Sequence, residues 1–345
     1  MAEAKSPLLI RGFHGMGDCL HQRAVVRQLM QRYDVWLETS WPCIYDDLIA
    51  EGLKVLKKRT SLRTQVKNAA RPSEIVKFSH ATPPPGTRSI QMSYATRAIH
   101  STPSRTVLEA MCVQVGCDFA TADFRLPVPS SWITPQIDSI NRSRKPLMIY
   151  RPLTVRPEYS PVSVRNADPT QYAELLAEIR DNFFIASVAD LVPEKEWIVG
   201  LQLKADMTFN GGELAFEQLA ALFSQADLIF TSSGFAAVLG PAVGTPTVSI
   251  IGGHEPLSCH DAGARFAPYL AIGPARRPDK HLDMPTAKTR LRKFVSEICI
   301  QTSDTSAPVI SETFTTAIPV PSQPAMSPQL LQLQRAMFHN RRGKT

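Results

Sequence analysis

The chain has 345 residues, of which 43% are hydrophobic and 20% are charged, and its formal net charge is +7. It is long enough to bury a sizeable core and exceeds the roughly 100–200 residues of a usual single domain, so we expect two domains. No stretch reaches the roughly 18–20 apolar residues that a membrane-spanning helix needs, which argues against an integral membrane protein.

Six scattered cysteines form no CxxC pair and have no histidines at zinc-ligand spacing, so they are interpreted as reduced structural thiols. The amino-terminal "MAEAKSPLLIRGFHGMGD" has only a short apolar run, unlike a signal peptide. We therefore expect a cytoplasmic protein, with peripheral contact to the inner face of the membrane left open. The positive charge suits nucleotides, nucleic acid or anionic lipid, and fits an ordinary basic protein equally well.

The first elements in the chain form a βαβ unit. Leu8 to Arg11 is predicted as a buried strand, residues 19–32 as a helix with apolar residues at helical spacing, and "DVWLET" as a second strand. "CIYDDLIAEGLKVL" continues the series with a helix and a strand. This order predicts a parallel sheet with right-handed crossovers.

The middle of the chain is predicted to be mostly irregular. Residues 71–105 are rich in Pro, Ser, Thr and Arg and are predicted as a loop. "TVLEAMCVQVGCDF" is predicted as a helix, and "RLPVPSSWITPQIDSINRSRKP" as a linker bounded by prolines. A domain boundary is placed near Arg144.

The second half repeats the alternation of strands and helices. Predicted strands are "LMIY", "FFIASVA", "EWIVGL", "DLIFTS" and "PTVSII", and the helices among them are "DPTQYAELLAEIRD", "LAFEQLAALFSQA" and "GFAAVLGPAVG". The predicted fold class is α/β with two Rossmann-like doubly wound domains, residues 1–143 and 144–300. Residues 301–345 are predicted as a flexible tail with a short basic helix.

The turn "GFHGMGDCLHQ" joins the first strand to the first helix. Its glycines allow close approach of a ligand to the backbone, and the free amides of a helix start attract negative charge. The spacing does not match GxGxxG, and the turn closes on an acid, Asp18. Asp18 is either an ordinary N-cap or a carboxylate at the edge of the sheet that accepts a proton from an acceptor hydroxyl.

A second segment, "QADLIFTSSGFAAVLGPAVGTPTVSIIGGHEP", places small residues after two consecutive strands. The backbone amides at Gly234, together with the hydroxyls of Ser232 and Ser233, form a candidate diphosphate site. Tight packing of a helix on a sheet would also select such small residues.

Both segments resemble glycosyltransferase family nine, the ADP-heptose:lipopolysaccharide heptosyltransferases, whose GT-B fold has two Rossmann-like domains facing a central cleft. The resemblance covers roughly residues 8–50 and 145–256. It implies inverting transfer of a sugar from a nucleotide sugar, with Asp18 as general base and residues 232–235, ending at Phe235, holding the donor phosphates. The family motif carries Asp, Thr, Gly and a later His, whereas this chain has Ser232, Ser233, Gly234 and Ala237.

Other residues are weaker candidates for the same site. Arg151, Arg156 and Arg165 follow the first strand of the second half and would neutralise a diphosphate, or are solvated loop arginines. Further predicted donor contacts are His254 and Glu255, and the predicted acceptor contacts are His14, Gly15, Met16, Gly17 and His21. The sequence "HEP" is unlike a zinc-site pattern, so no metal or other cofactor is expected.

Three alternatives remain open at this stage. The family expectation for the acceptor is a saccharide such as a lipopolysaccharide core sugar, but the basic charge also suits DNA carrying a hydroxymethylated base. Loss of the donor-loop carboxylate and histidine favours a non-catalytic binding protein on a degenerate scaffold, whereas retention of "GMGD" argues against it. A sugar-nucleotide epimerase of similar architecture is the third alternative.

Overall fold

A computed structural model describes residues 4–94, 106–140, 145–156, 166–200, 203–253, 255–274 and 281–303. His254, Arg165 and all but the first three residues of the predicted flexible tail 301–345 lie outside these described residues. Residues 301–303 end a helix, so the predicted start of the tail is three residues too early. Within them, no helix is long and apolar enough to cross a membrane.

The first sheet has four parallel strands in the order β3-β2-β1-β4. Its strands are β1 (Pro7–Arg11), β2 (Asp34–Thr39), β3 (Lys54–Lys57) and β4 (Arg88–Gln91). The helices of this part of the chain are α1 (Met16–Arg32), α2 (Asp46–Ala50), α3 (Arg63–Ala69), α4 (Pro72–Ile75), α5 (Val107–Val115) and α6 (Pro135–Ile140).

The second sheet has six parallel strands in the order β12-β11-β10-β5-β7-β9. Its strands are β5 (Leu147–Tyr150), β7 (Phe184–Val188), β9 (Met207–Phe209), β10 (Leu228–Ser232), β11 (Thr247–Ile250) and β12 (Tyr269–Ile272). A small antiparallel pair joins β6 (Thr154–Val155) to β8 (Trp197–Ile198). The helices are α7 (Pro169–Ala177), α8 (Phe216–Ser224), α9 (Phe235–Ala242) and α10 (Met284–Ser303).

Burial explains why the central strands form. Every residue of β5, β10 and β11 is buried, as expected for interior strands of a parallel sheet covered on both faces. One apolar core lies against the first sheet and one face of the second, and another lies on the opposite face of the second sheet. Helices α1 and α9 pack against each other within the shared core.

Two predictions about the middle of the chain are wrong in part. The supposed irregular stretch 71–105 contains α4 and β4, and β4 pairs with β1 through its backbone although its side chains are mostly exposed. An exposed edge strand lacks the apolar pattern that marks a buried one, which is why it was missed. The supposed linker 125–146 contains a short 3₁₀ helix and α6, whose Ile137 and Ile140 are buried.

Candidate active site

A cavity of about 830 Å³ lies where the first turns of α1 and α9 meet. Both helices follow strands of parallel sheets, so the cavity lies at the carboxyl ends of β1 and β10, where ligands of open α/β folds bind. All the described residues that were predicted for the site line this cavity: His14, Gly15, Met16, Gly17, Asp18, His21, Arg151, Arg156, Ser232, Ser233, Gly234, Phe235 and Glu255.

Asp18 lies in the first turn of α1 and is half-buried at the cavity wall. The N-cap of this helix is Gly15, in extended conformation, so the N-cap interpretation of Asp18 is wrong by three residues. A Cβ built on Gly15 would lie 2.6 Å from the Asp18 Oδ2 atom, which shows that the carboxylate lies close against the N-cap backbone. Asp18 thus presents a carboxylate at a helix start that faces the cavity.

The start of α9 forms the adjoining wall. Gly234 is its N-cap, with φ of +143° and ψ of −163°, a conformation that essentially only glycine adopts. This backbone turns sharply after β10 and leaves the first amides of α9 at the cavity, with Ser232 and Ser233 beside them. Free amides and the helix dipole attract anions, so this wall suits a phosphate group.

Two arginines add positive charge to the same cavity. The Arg151 guanidinium stacks over the Phe235 ring, 4.3 Å from its centroid, and Arg156 lines the wall near β6. The Tyr172 hydroxyl donates a 2.7 Å hydrogen bond to the Arg151 carbonyl, which holds this part of the backbone. Guanidinium groups bind phosphate oxygens well, so the charge of these arginines would suit a phosphate-bearing ligand.

A carboxylate and an imidazole from a later part of the chain lie beside the loop at Ser233. Ser233 Oγ donates a hydrogen bond to Glu255, and it lies 3.3 Å from His260 Nε2. Cys259 Sγ lies 3.8 Å from the same Glu255 Oε2 atom. The sequence lacks the carboxylate and imidazole of the family motif near residue 232, and the fold places Glu255 and His260 there instead.

This arrangement differs from the triad of a serine hydrolase. In a triad, the acid holds the ring nitrogen that faces away from the serine. Here Glu255 Oε2 lies 3.9 Å from His260 Nε2, the nitrogen that also faces Ser233. Glu255 also hydrogen-bonds to the hydroxyl directly. The geometry therefore does not support acyl-transfer chemistry at Ser233.

The two predicted histidines of the acceptor side differ in their environments. His14 is exposed, with Nδ1 3.2 Å from Gln65 Oε1, and its carbonyl accepts hydrogen bonds from Gln65 and Trp41. His21 is only 1% exposed and packs edge-on against Phe124. Burial, and then the charge of His260, lowers the pKa of His21 to about 3, so this imidazole is neutral at physiological pH.

Several cavity residues were not predicted from the sequence. Cys259 and His260 lie in a 3₁₀ helix, residues 257–265, that carries no recognisable motif. Asp190, at the end of β7, is placed at the cavity by the order of the strands. The position of Asp190 just after a predicted strand could have marked it as a site residue. No sequence signal marked Cys259 or His260.

A second group with metal-ligand chemistry lies outside this cavity and already has a lysine as its cationic partner. Cys43, Glu74 and Glu217 bring their ligand atoms within 4.8 Å of one another. The Lys77 ammonium forms ion pairs of 3.0 Å with Glu74 and 3.2 Å with Glu217. Burial alone would lower the pKa of Lys77, but the charge of Glu74 and hydrogen bonds to Asp46 and Glu74 outweigh it and raise the pKa above its ordinary value. This group is therefore a structural ion-pair cluster.

Comparison with known proteins shows which fold this is. No family model matches the chain, and no curated protein matches its sequence. Among solved structures, the iron-containing dodecameric glycosyltransferase TibC from enterotoxigenic E. coli H10407 aligns with a TM-score of 0.57 at 12% identity, over 88% of this chain and 82% of TibC. TibC has also been solved in complex with ADP-D-beta-D-heptose.

Two further structures give the same result. E. coli ADP-heptose lipopolysaccharide heptosyltransferase II aligns with a TM-score of 0.52 at 12% identity, over 86% of this chain and 99% of that one. A family 9 glycosyl transferase from Veillonella parvula DSM 2008 aligns with a TM-score of 0.50 at 11% identity, over 87% and 99%. The chain has the Rossmann-like α/β fold of these glycosyltransferases, and the predicted fold class is confirmed.

Proposed function

We propose that the protein is a glycosyltransferase that moves a sugar from a nucleotide sugar to an acceptor hydroxyl, with inversion at the anomeric carbon. One observation carries the proposal: Asp18 and the amide-rich start of α9 line the same cavity. A base and an anion site facing one space are what such a transfer requires. Residues 1–143 would bind the acceptor and residues 144–300 the donor.

In this mechanism Asp18 takes the proton of the acceptor hydroxyl as its oxygen attacks the anomeric carbon. The bond from that carbon to the donor phosphate breaks on the opposite face, and the nucleoside diphosphate leaves with the electron pair. Negative charge grows on the leaving oxygen, where the amides at Phe235 and the Arg151 and Arg156 guanidiniums stabilise it. Glu255 would orient Ser233 at the donor and His14 would contact the acceptor, whereas the predicted acceptor residue His21 is buried and stacks beside His260.

Nucleotide binding is the first test. Thermal unfolding would be followed with ADP, UDP, GDP, CDP and dTDP, each at millimolar concentration, with ADP placed first because TibC binds ADP-D-beta-D-heptose. A ligand at a hundred times its Kd adds about 2.7 kcal/mol of stability, a shift of a few degrees. One nucleotide standing out identifies the donor base. A flat panel contradicts the proposal and favours a degenerate scaffold.

Asp18→Asn tests the base directly. We expect loss of sugar transfer with nucleotide binding and unfolding temperature nearly unchanged, because the amide keeps the size of the side chain but cannot accept the proton. Asp34→Asn, at a half-exposed pair with Lys54 on the first sheet, is the matched control and should leave transfer intact. If Asp18→Asn loses binding and folding together, Asp18 is a structural residue.

The acceptor would be a saccharide of the lipopolysaccharide type, as expected for the family that the sequence resembles. A duplex carrying hydroxymethylated bases is the competing acceptor, and its binding would weaken steeply as salt rises. Radiolabelled sugar appearing on oligosaccharide but not on duplex supports the saccharide acceptor. The opposite result supports DNA.

A further inference from the structure

Three side chains of metal-ligand type converge on one wall of the cavity. The carboxylate of Glu255, the thiol of Cys259 and the imidazole of His260 bring one ligand atom each within 4.8 Å of one another. The Glu255 Oε2 atom lies 3.8 Å from Cys259 Sγ and 3.9 Å from His260 Nε2. All three side chains line the cavity.

These distances are close to those of an assembled metal site. Zinc lies about 2.0–2.3 Å from its oxygen, nitrogen and sulfur ligands, which puts the ligand atoms of a tetrahedral site roughly 3.3–3.8 Å apart. The two distances from Glu255 lie within a few tenths of an ångström of this range, and all three ligand atoms lie within 4.8 Å of one another, so movements of up to about 1 Å would bring them to the spacing of a metal site. The side chains are mostly buried, 18% exposed for Glu255 and 11% for His260, so their positions are restricted by packing.

A buried imidazole whose ring nitrogens have no hydrogen-bond partner in the described part of the chain lies beside this group. His21 is 1% exposed and lines the same cavity, with its ring stacked 6.1 Å from that of His260. Among the described residues, neither of its ring nitrogens has a hydrogen-bond partner. A buried polar group without a partner is costly, and such groups in native proteins commonly mark an ion or water.

We propose that Glu255, Cys259 and His260 form a binding site for a divalent cation of the zinc class at the wall of the cavity. One thiolate, one imidazole and one carboxylate suit a borderline-soft ion rather than magnesium or calcium. Three protein ligands leave one coordination position open, next to the Ser233 hydroxyl.

The open position indicates what the ion would do. It faces the loop at which the donor phosphates would bind, and this role rests on the proposed function. A cation there would attract a diphosphate oxygen and stabilise the leaving group. The sequence-based expectation of no metal rested on "HEP" alone and did not consider Cys259 and His260, which follow Glu255 by four and five residues.

Cobalt titration of the chelator-treated full chain tests the site without relying on transfer activity. We expect one equivalent of Co²⁺ to produce a thiolate-to-cobalt charge-transfer band and visible bands of tetrahedral cobalt, both removed by one equivalent of Zn²⁺. Cys259→Ser should abolish the charge-transfer band, and His260→Gln should weaken cobalt binding at least tenfold. Cys117→Ser, at a half-buried thiol outside the cavity lining, is the matched control and should keep the band.

Each variant is first shown to be folded by its metal-free circular dichroism and unfolding temperature. A folded wild-type protein that gives no thiolate band, or a Cys259→Ser variant that keeps it, overturns the site. A cobalt band in a protein that binds no nucleoside diphosphate supports the metal site while counting against the proposed transfer. The two proposals therefore fail separately.

Discussion

Gly17, in the first turn of α1, lies directly against Phe235, the first residue of α9. A Cβ built on Gly17 would lie 3.2 Å from the Phe235 Cα atom, closer than ordinary van der Waals contact. This approach brings the starts of two helices from distant parts of the chain to one cavity.

Substitution of Gly17 should separate these helix starts. Gly17→Ala requires a small shift, and Gly17→Val a larger one, because overpacking in a tight contact typically costs about 1–3 kcal/mol. We expect graded losses in the free energy of unfolding and in nucleotide affinity, measured by denaturant titration and calorimetry. Ser296→Val, on the exposed face of α10, is the control and should change affinity little. Equal effects of the alanine and valine variants would contradict the tight contact.

Gly234→Ala should impair the anion site through the backbone alone. No atom lies within 4 Å of a Cβ built on Gly234, but its φ of +143° is unfavourable for any other residue, at a cost of about 1–3 kcal/mol. We expect the loop to relax and nucleoside diphosphate affinity to fall at least tenfold.

Gly116→Ala is the matched control, because Gly116 also has positive φ, +66°, and open space around its Cβ. It ends α5, away from the cavity lining. This variant should lose comparable stability and keep its nucleotide affinity. An equal loss of affinity in both variants would show that general destabilisation, rather than the anion site, is responsible.

The ionisation of Asp47 should make the free energy of unfolding depend on pH in the acid range. Arg23 is fully buried and donates a 2.6 Å hydrogen bond to Asp47 Oδ1. Burial alone would raise the Asp47 pKa, but hydrogen bonding and charge from Arg23, with Arg27, outweigh it and lower the pKa below its ordinary 3.8. A lowered folded-state pKa contributes stability above pH 3.8 that is lost as pH falls through the folded value.

Asp47→Asn should therefore cost about 3 kcal/mol at pH 7, because it leaves a buried guanidinium without its charge partner. The difference from wild type should shrink as pH falls below the ordinary carboxyl range, measured by urea unfolding at several pH values. Asp181→Asn, whose side chain is 92% exposed, is the control and should be nearly neutral throughout. If the stability difference between wild type and Asp47→Asn instead grew as the pH fell, the Asp47 pKa would not be lowered in the folded protein.

Arg63 and Glu196 should be energetically coupled. Arg63 Nη2 lies 2.9 Å from Glu196 Oε2, and the glutamate side chain is only 4% exposed, so solvent screens the pair weakly. A double-mutant cycle with Arg63→Met and Glu196→Gln should give a coupling energy of about 1–2 kcal/mol in unfolding experiments.

The pair of Lys54 and Asp34 supplies the comparison, because its side chains are 37% and 35% exposed. The same cycle there should give less than about 0.5 kcal/mol. Similar coupling energies at both pairs would show that burial of Glu196 adds nothing.

Much of the fold could be predicted because its signals are local. The apolar runs of β5 and β10 predict buried parallel strands, and both are fully buried. Asp168 caps α7 through hydrogen bonds from the amides of Thr170 and Gln171, a pattern visible within a few residues. The strand-turn-helix segments around Asp18 and Gly234 are also local patterns, and they allowed the position of the cavity to be predicted.

The remaining features depend on contacts between distant residues. Strand β4 forms by pairing with the edge of β1, and the side chains of β4 are mostly exposed and show no apolar pattern. His260 meets Ser233 across 27 residues, and His21 is buried because α1 packs against later elements. Periodicity and capping are set by neighbours in sequence, so the sequence by itself determined the alternating α/β elements and the two cavity-facing turns. Only the tertiary structure decided which carboxylate, thiol and imidazole reach the cavity, because sheet order and helix packing set distances between remote parts of the chain.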